Sequence, residues 1–496
     1  MFLLVQLLLK IVSAKHIAVF DCGSSGTRVL LINYTDTNNV YSFKQFAENW
    51  NSYYYCSNRT RKMTTPEAKE ALTKDIYRIL IKDGINKLVP TNERKNVPLL
   101  FYHTAGMREL SESVQNEIND YMCEYFQKNT EYDVQRKNFK VLAGWEESLY
   151  QWLTVNQVMG YINSESTMPI LHMGGESMQF GLELREPPED DFMKSFVYTV
   201  RLNGKYHYIF LYSWLKYGTG AIADISHVDR VNAGIMESPC MYKGGIYEIE
   251  VHSKEHPEGG YYYPLKGTGN FEECANLMKP VFTETKDLSK CHGYSPTVSD
   301  YLKDNCIPFA DKFEHLYGGS CVGDALRYLK FNINDEVAEP LTYGQLVSLN
   351  KDYAKTSYKD VLDNNGGDEN AEWTMSNAAM VKEFMNKAFC KPENLGEAGL
   401  NNIKMYYKDT YEGKLQAWNL GAAIAYESDG FQVIMPENYK ESWFTAGRIA
   451  GITVGCVAFV GIIVGVIIFL VIRKRRQNDD VQLEDTTADQ VEKAEN

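Results

Sequence analysis

Hydrophobic and polar positions alternate along this chain in two rhythms. Short apolar runs at 17–21, 29–33, 98–103, 139–142 and 168–173 predict strands, and 192–202 reads the same way. Between them, 66–88 and 109–129 space their apolar residues three and four apart, which predicts amphipathic helices; 209–226 also reads as a helix. Strands alternating with helices predict an α/β fold. From Cys240 to about residue 269 the chain becomes rich in Gly, Pro and Tyr, which predicts a loop-heavy insertion tied by disulfides, and 363–372 reads as an exposed loop.

Two predicted strands run straight into glycine turns. Ile17-Ala18-Val19-Phe20 leads into Asp21-Cys22-Gly23-Ser24-Ser25-Gly26-Thr27-Arg28, and Pro169-Ile170-Leu171-His172-Met173 leads into Gly174-Gly175-Glu176-Ser177-Met178-Gln179. Where the chain lacks Cβ atoms, several backbone N–H groups can converge on one anion. Two such turns, each carrying hydroxyls, predict a cleft between two related lobes that grips a polyphosphate from both sides. No G-x-x-x-x-G-K-[ST] segment is present, which excludes the P-loop solution.

The ends of the chain carry addressing signals. Positions 1–14 hold an apolar block, 2–9, followed by small residues at Val12-Ser13-Ala14, the arrangement of a secretory signal peptide. Positions 449–472 contain no charged residue, enough for one C-terminal transmembrane helix across a lipid bilayer. Arg473-Lys474-Arg475-Arg476 follows and places that side in the cytoplasm. The expected topology is a single-pass type I membrane protein. Its ectodomain is extracellular or lumenal, with the cell surface favoured, and 473–496 forms a short acidic cytoplasmic tail.

Charge and cysteines narrow the function. A formal net charge of −14 over 496 residues excludes a nucleic-acid groove, which needs clustered Lys and Arg. Neither H-E-x-x-H nor paired C-x-x-C occurs, so a zinc site has no support. Of ten cysteines, Cys456 lies in the membrane segment and Cys22 is expected as a free thiol in the first turn. The other eight, Cys56, Cys123, Cys240, Cys274, Cys291, Cys306, Cys321 and Cys390, fit disulfides of an oxidising compartment, with the pairing open. Asn33-Tyr34-Thr35 and Asn58-Arg59-Thr60 are glycosylation sequons.

Five segments line up in order: Asp21 to Arg28; Thr104-Ala105-Gly106-Met107-Arg108; Gly144-Trp145-Glu146-Glu147-Ser148 with its continuation to Asn156; His172 to Gln179; and Ala417-Trp418-Asn419-Leu420-Gly421. Together they resemble the apyrase conserved regions of the ecto-nucleoside triphosphate diphosphohydrolases, over roughly residues 15 to 430. The segment 209–221 also looks like that family's helix after the second turn. The resemblance implies two actin-like (RNase H-like) lobes with the active site in the cleft between them. Lobe I would span 15–165, completed by about 415–440, and lobe II 166–414.

It implies metal-dependent removal of terminal phosphates from nucleoside tri- and diphosphates. Gly23, Ser24, Ser25, Gly26, Thr27, Arg28, Thr104, Gly174, Gly175 and Glu176 would bind phosphate. Glu147 would take the proton of the attacking water, its neighbour Glu146 pointing elsewhere at a helix start. Ser177 and Gln179 would orient that water. Trp418 would pack beneath the site, and Arg108 would pair with a carboxylate or contact phosphate. Because no Lys or Arg cluster neutralises the phosphates, Mg2+ or Ca2+ is implied, with Asp21 reaching it through water.

Four positions depart from the family pattern, the first being Ser148, which replaces the glycine after the family's glutamate. His172 stands where an aspartate is usual, Glu176 where a small residue is usual, and Met178 replaces a threonine. Either His172 or Glu176 serves the metal in place of the missing carboxylate, or metal binding is weakened. The second case suits a nucleotide-binding surface receptor or adhesin of the same fold. A sugar or acetate kinase of that superfamily fits the secretion signals and the Glu147 segment less well.

Overall fold

Twin sheets organise the computed structural model. It describes residues 15–37, 40–45, 53–56, 59–251, 261–283, 306–307, 314–327, 340–389, 396–407, 410–411, 414–415, 417–428 and 430–436. The chain forms two units, 1–439 and 440–496, and every described residue lies in the first. The leader at 1–14, the apolar span at 449–472, the tail, and Cys291, Cys390 and Asn58 therefore lie outside the described residues. Among those described, no helix is long and apolar enough to cross a membrane.

The first sheet takes β1 (Lys15–Cys22), β2 (Thr27–Thr37), β3 (Val40–Gln45), β4 (Tyr53–Cys56), β5 (Leu99–His103) and β6 (Phe139–Val141). Its order is β3-β2-β1-β5-β6, with β4 on β2; β1 is antiparallel to β2 and parallel to β5. The second takes β7 (Ile170–Met173), β8 (Ser177–Leu184), β9 (Val197–Leu202) and β10 (Lys205–Leu215). A small sheet of β11 (Glu237–Ser238), β12 (Ile246–Val251) and β13 (Tyr261–Gly267) follows. Later come β14 (His315–Ser320), β15 (Leu341–Thr342), β16 (Lys404–Tyr406), the hairpin β17 (Thr410–Tyr411) and β18 (Lys414–Leu415), and β19 (Gln432–Ile434). The second sheet runs β15-β16-β14-β7-β8-β10-β9-β19, with β7 antiparallel to β8 and parallel to β14. Each sheet thus opens with a hairpin whose turn is one of the two glycine loops, and continues through a parallel neighbour on the other side of the first strand. The α/β actin-like architecture is realised in this repetition.

Helix α1 (Pro66–Ile76) is capped by Thr65 and continues as a wider turn, Tyr77–Lys82. Helix α2 (Glu112–Asn129) is capped by Ser111 and buries Ile118, Met122 and Phe126 against the first sheet, where Phe20, Phe101 and Phe139 stack at 3.9–4.6 Å. Helix α3 (Gly144–Val158) sits between the two sheets, and its Leu149, Trp152 and Leu153 share one core with Val19 and Leu100 of the first sheet and Ile170 and Ile209 of the second. The other face of the second sheet packs on helices that include α4 (Phe271–Thr283) and α5 (Thr374–Ala388). Helix α6 (Trp418–Glu427) returns to α3, so close that a Cβ on Gly421 would overlap the Tyr150 carbonyl.

Several sequence expectations are corrected here. Residues 209–215 are not helical but lie in β10, between β8 and β9; a central strand is apolar on both faces, and its Ile, Phe, Tyr and Trp content is strand-like. Helix begins only at Thr219. The first part of 192–202 is a helical turn, Asp191–Lys194, with strand from Val197. Among its described residues, the 240–269 insertion contains strands β12 and β13, and a Cys240–Cys274 disulfide ties it down as expected. Cys306 is also disulfide-bonded, but Cys123, facing the α2 core, and Cys321 are thiols, as Cys22 is. Asn33 of the first sequon lies within β2, with its carboxamide oxygen buried. The 363–372 loop is anchored by buried Asn365, whose amide donates to the Tyr353 hydroxyl at 2.9 Å. Strand 432–434 joins the second sheet rather than lobe I.

Candidate active site

The register of each sheet sets out one wall of the site. In the first, Asp21 lies opposite Arg28 on β2 and Tyr102 on β5. Directly opposite residues share a face, so the Arg28 guanidinium meets the Asp21 carboxylate at 2.8 Å and also donates to Ser25 Oγ at 2.9 Å. Burial pushes the Asp21 carboxyl up, against the pull of Arg28. In the second, Ser213, Gln179, His172 and Gly319 form one row across β10, β8, β7 and β14. Gln179 Nε2 donates to Ser177 Oγ at 2.6 Å and to Ser213 Oγ at 3.3 Å, while Gln179 Oε1 is buried with no partner among the described residues.

The two glycine turns meet. A Cβ on Gly175 would strike Ser24 Oγ, so the bare glycine lets the loops touch. The first turn closes through Gly23 N–H to the Gly26 carbonyl at 2.9 Å, under a Tyr55 hydroxyl that donates to the Ser25 carbonyl. In the second, the carbonyls of Gly174, Gly175 and Glu176 accept from the backbone N–H groups of Thr219, Gly220 and Lys216 at 3.0, 2.7 and 2.6 Å. In a trans peptide the N–H opposes the C=O, so the N–H groups of Gly175, Glu176 and Ser177 point away from that strap. Lys216 takes a positive φ of 65° to make it. Thr104 closes the floor, its N–H donating to the Cys22 carbonyl at 3.2 Å.

Glu147 lies at the first turn of α3, between the sheets. Glu146 folds back, accepting from the Ala143 N–H at 2.9 Å and from Lys140 at 2.7 Å, which leaves Glu147 to point inward. There it is buried and paired through Oε2 with the equally buried Arg108, which also donates to the Leu142 carbonyl at 2.9 Å. Burial raises the Glu147 carboxyl above its ordinary range, Arg108 opposes this, and nearby Asp21 adds to it. Of the two roles open to Arg108, it takes the carboxylate pairing, and its partner is Glu147 itself.

The departures have clear surroundings. Burial and the Arg28 charge lower the His172 imidazole to about 4, so it is neutral; its Nδ1 has no partner among the described residues, in a space left by Gly319. Glu176 pairs with Arg61 at 3.1 Å, near Glu109 and Asp224, and burial raises its carboxyl. Trp418 is a core residue, stacked on Tyr150 at 6.5 Å. Among the described residues no three His, Cys, Asp or Glu side chains gather as a metal cage. The donors on offer, Asp21 beside Glu147, suit a hydrated hard cation held mainly by phosphate and water. His172 presents a neutral imidazole where the family pattern has a carboxylate. Residue-by-residue reading missed Arg61 and Ser213; only the register of β10 on β8 exposes Ser213.

The model of the GDA1/CD39 (nucleoside phosphatase) family matches residues 9–434. Probable apyrase 4 of Arabidopsis thaliana is 26% identical over 295 residues, 56% of this chain and 56% of its own length. The nucleoside-diphosphatase mig-23 of Caenorhabditis elegans is 22% identical over 300 residues, 55% and 53% of the two lengths. Golgi apyrase of Schizosaccharomyces pombe is 27% identical over 218 residues, 40% and 36%. The chain thus spans about half the length, or less, of these curated relatives. A nucleoside triphosphate hydrolase structure from Neospora caninum shares the fold, with a TM-score of 0.52 at 13% identity over 85% of this chain and 95% of that one. With its twin glycine turns and a match across most of its length, the chain belongs to the GDA1/CD39 (nucleoside phosphatase) family.

Proposed function

We propose that this protein hydrolyses terminal phosphates of nucleoside tri- and diphosphates with Mg2+ or Ca2+, through a water activated by Glu147. One observation carries the reading: two glycine turns, one from each sheet, touch at Ser24 and Gly175, with a buried carboxylate behind them. The N–H groups and hydroxyls of both turns bind phosphate oxygens. Gln179 Oε1 accepts one hydrogen of the water, and Ser177 holds the Gln179 amide in place. Arg108 occupies Glu147 Oε2, leaving Oε1 for the water's other proton. As that proton transfers, water oxygen bonds to phosphorus and the bridging P–O bond breaks, giving phosphate and a nucleotide shorter by one phosphate. A divalent cation supplies charge neutralisation at the phosphates, with Asp21 holding its waters.

The relatives named apyrase and nucleoside-diphosphatase support this substrate class. The uncharged 449–472 run and the basic cluster after it support a type I membrane protein that works outside the cell or in a lumen. Phosphate release from ATP, ADP, UDP and GDP by the full chain, with each cation, tests the proposal. Neutral His172 in place of a carboxylate favours a second reading, a receptor that binds nucleotide without turnover. That reading requires binding with no release under every condition.

A further inference from the structure

A second set of charges crosses the cleft beside the phosphate turns, and the mechanism above does not use it. Arg61 follows Thr60, which is buried and hydrogen-bonded to His103 at 3.0 Å, so its backbone is fixed on the first-sheet side. Its stem runs along the first turn: a Cβ on Gly106 would lie 3.0 Å from Arg61 Cδ and 3.3 Å from Ser24 Cα. Its guanidinium then crosses to Glu176, in the second turn, at 3.1 Å. Lys216 and Glu109 make a parallel crossing at 3.3 Å, and Arg61, Glu109, Glu176, Lys216 and Asp224 line a pocket of about 490 Å³.

A carboxylate in an anion-binding turn stands where a phosphate oxygen would. A guanidinium within reach of Ser24 accepts phosphate in the same planar fork that it offers a carboxylate. On the nucleotide-hydrolase reading of this site, we propose that Arg61 contacts substrate phosphate and that Glu176 holds it until substrate arrives, so that the pair gates the cleft by competition.

The test is steady-state phosphate release from ADP and equilibrium ADP binding by the full chain, with melting temperature as a folding check. Glu176→Gln should lower KM and Kd about tenfold with kcat held, and Arg61→Met should raise both about tenfold. In the Arg61→Met background Glu176→Gln should tighten nothing, and Arg61→Lys should restore part of the loss. Glu109→Gln, which cuts the parallel crossing, should leave KM unchanged. Unchanged constants in the Glu176 and Arg61 variants, or an equal effect of Glu109→Gln, would overturn the gate while leaving the hydrolase intact. A wild-type chain that neither binds nor hydrolyses any nucleotide would remove the hydrolase reading, and the gate with it.

Discussion

Glu147 and Arg108 form a buried ion pair between the two sheets, their side chains 7% and 3% exposed. Removing one member strands the other without water. Glu147→Ala should therefore cost about 3–5 kcal/mol of stability, and replacing both together with Leu and Met should recover most of it. Denaturant midpoints of the two variants check this; equal losses would mean the pair is not coupled.

Ser24 touches Gly175 where any side chain would intrude. Gly175→Ala should push the two turns apart, cost about 1–3 kcal/mol and lower the melting temperature. Ser24→Gly in the same chain should restore the melting temperature without restoring phosphate release. Failure of that rescue would place the strain elsewhere.

Three buried histidines should govern acid stability. Burial lowers His103 to about 3, and His172 and His227 to about 4, from an ordinary 6.5. A lowered folded value means the unfolded chain binds protons first. The contribution is present above pH 6.5 and is lost as pH falls towards 4 and then 3. Denaturant midpoints should drop over that window, and His227→Gln should flatten part of the drop. A midpoint constant from 6.5 to 4 would contradict the assignment.

The Glu147 carboxyl, raised by burial, should act in the opposite sense. Its protonated form suits the folded state, so its contribution is present below the ordinary glutamate range and is lost as pH rises through the folded value. Compared with Glu147→Gln, the wild type should lose stability as pH rises from about 4.5. Activity runs the other way, since a base must be ionised, and the acid limb of kcat/KM should sit above the usual glutamate value. A limb at or below that value would argue for another base.

Local signals told much of this in advance. Strands β1, β2, β5, β6 and β7 follow from short apolar runs, and both turns from glycines placed directly after two of them. Glu147 was separable from Glu146 because consecutive helical residues face apart. What stayed hidden depends on pairing between distant segments. Arg108 meets Glu147 across 39 positions, and Arg61 meets Glu176 across 115, with no local pattern to announce either. Residues 209–215 are buried on both faces, and such a run has no periodicity to distinguish strand from helix. Trp418 on α6 stacks on Tyr150 of α3, a contact between segments far apart in the chain.

The central claim is that Glu147 primes the water while the paired turns hold the phosphates. Phosphate release and nucleotide binding by full-length Glu147→Gln, beside wild type, test it most directly. Release should fall about a hundredfold to ten-thousandfold while nucleotide binding stays near wild type, and the melting temperature should fall because buried Arg108 loses its counter-charge. Wild-type turnover by that variant would contradict the account.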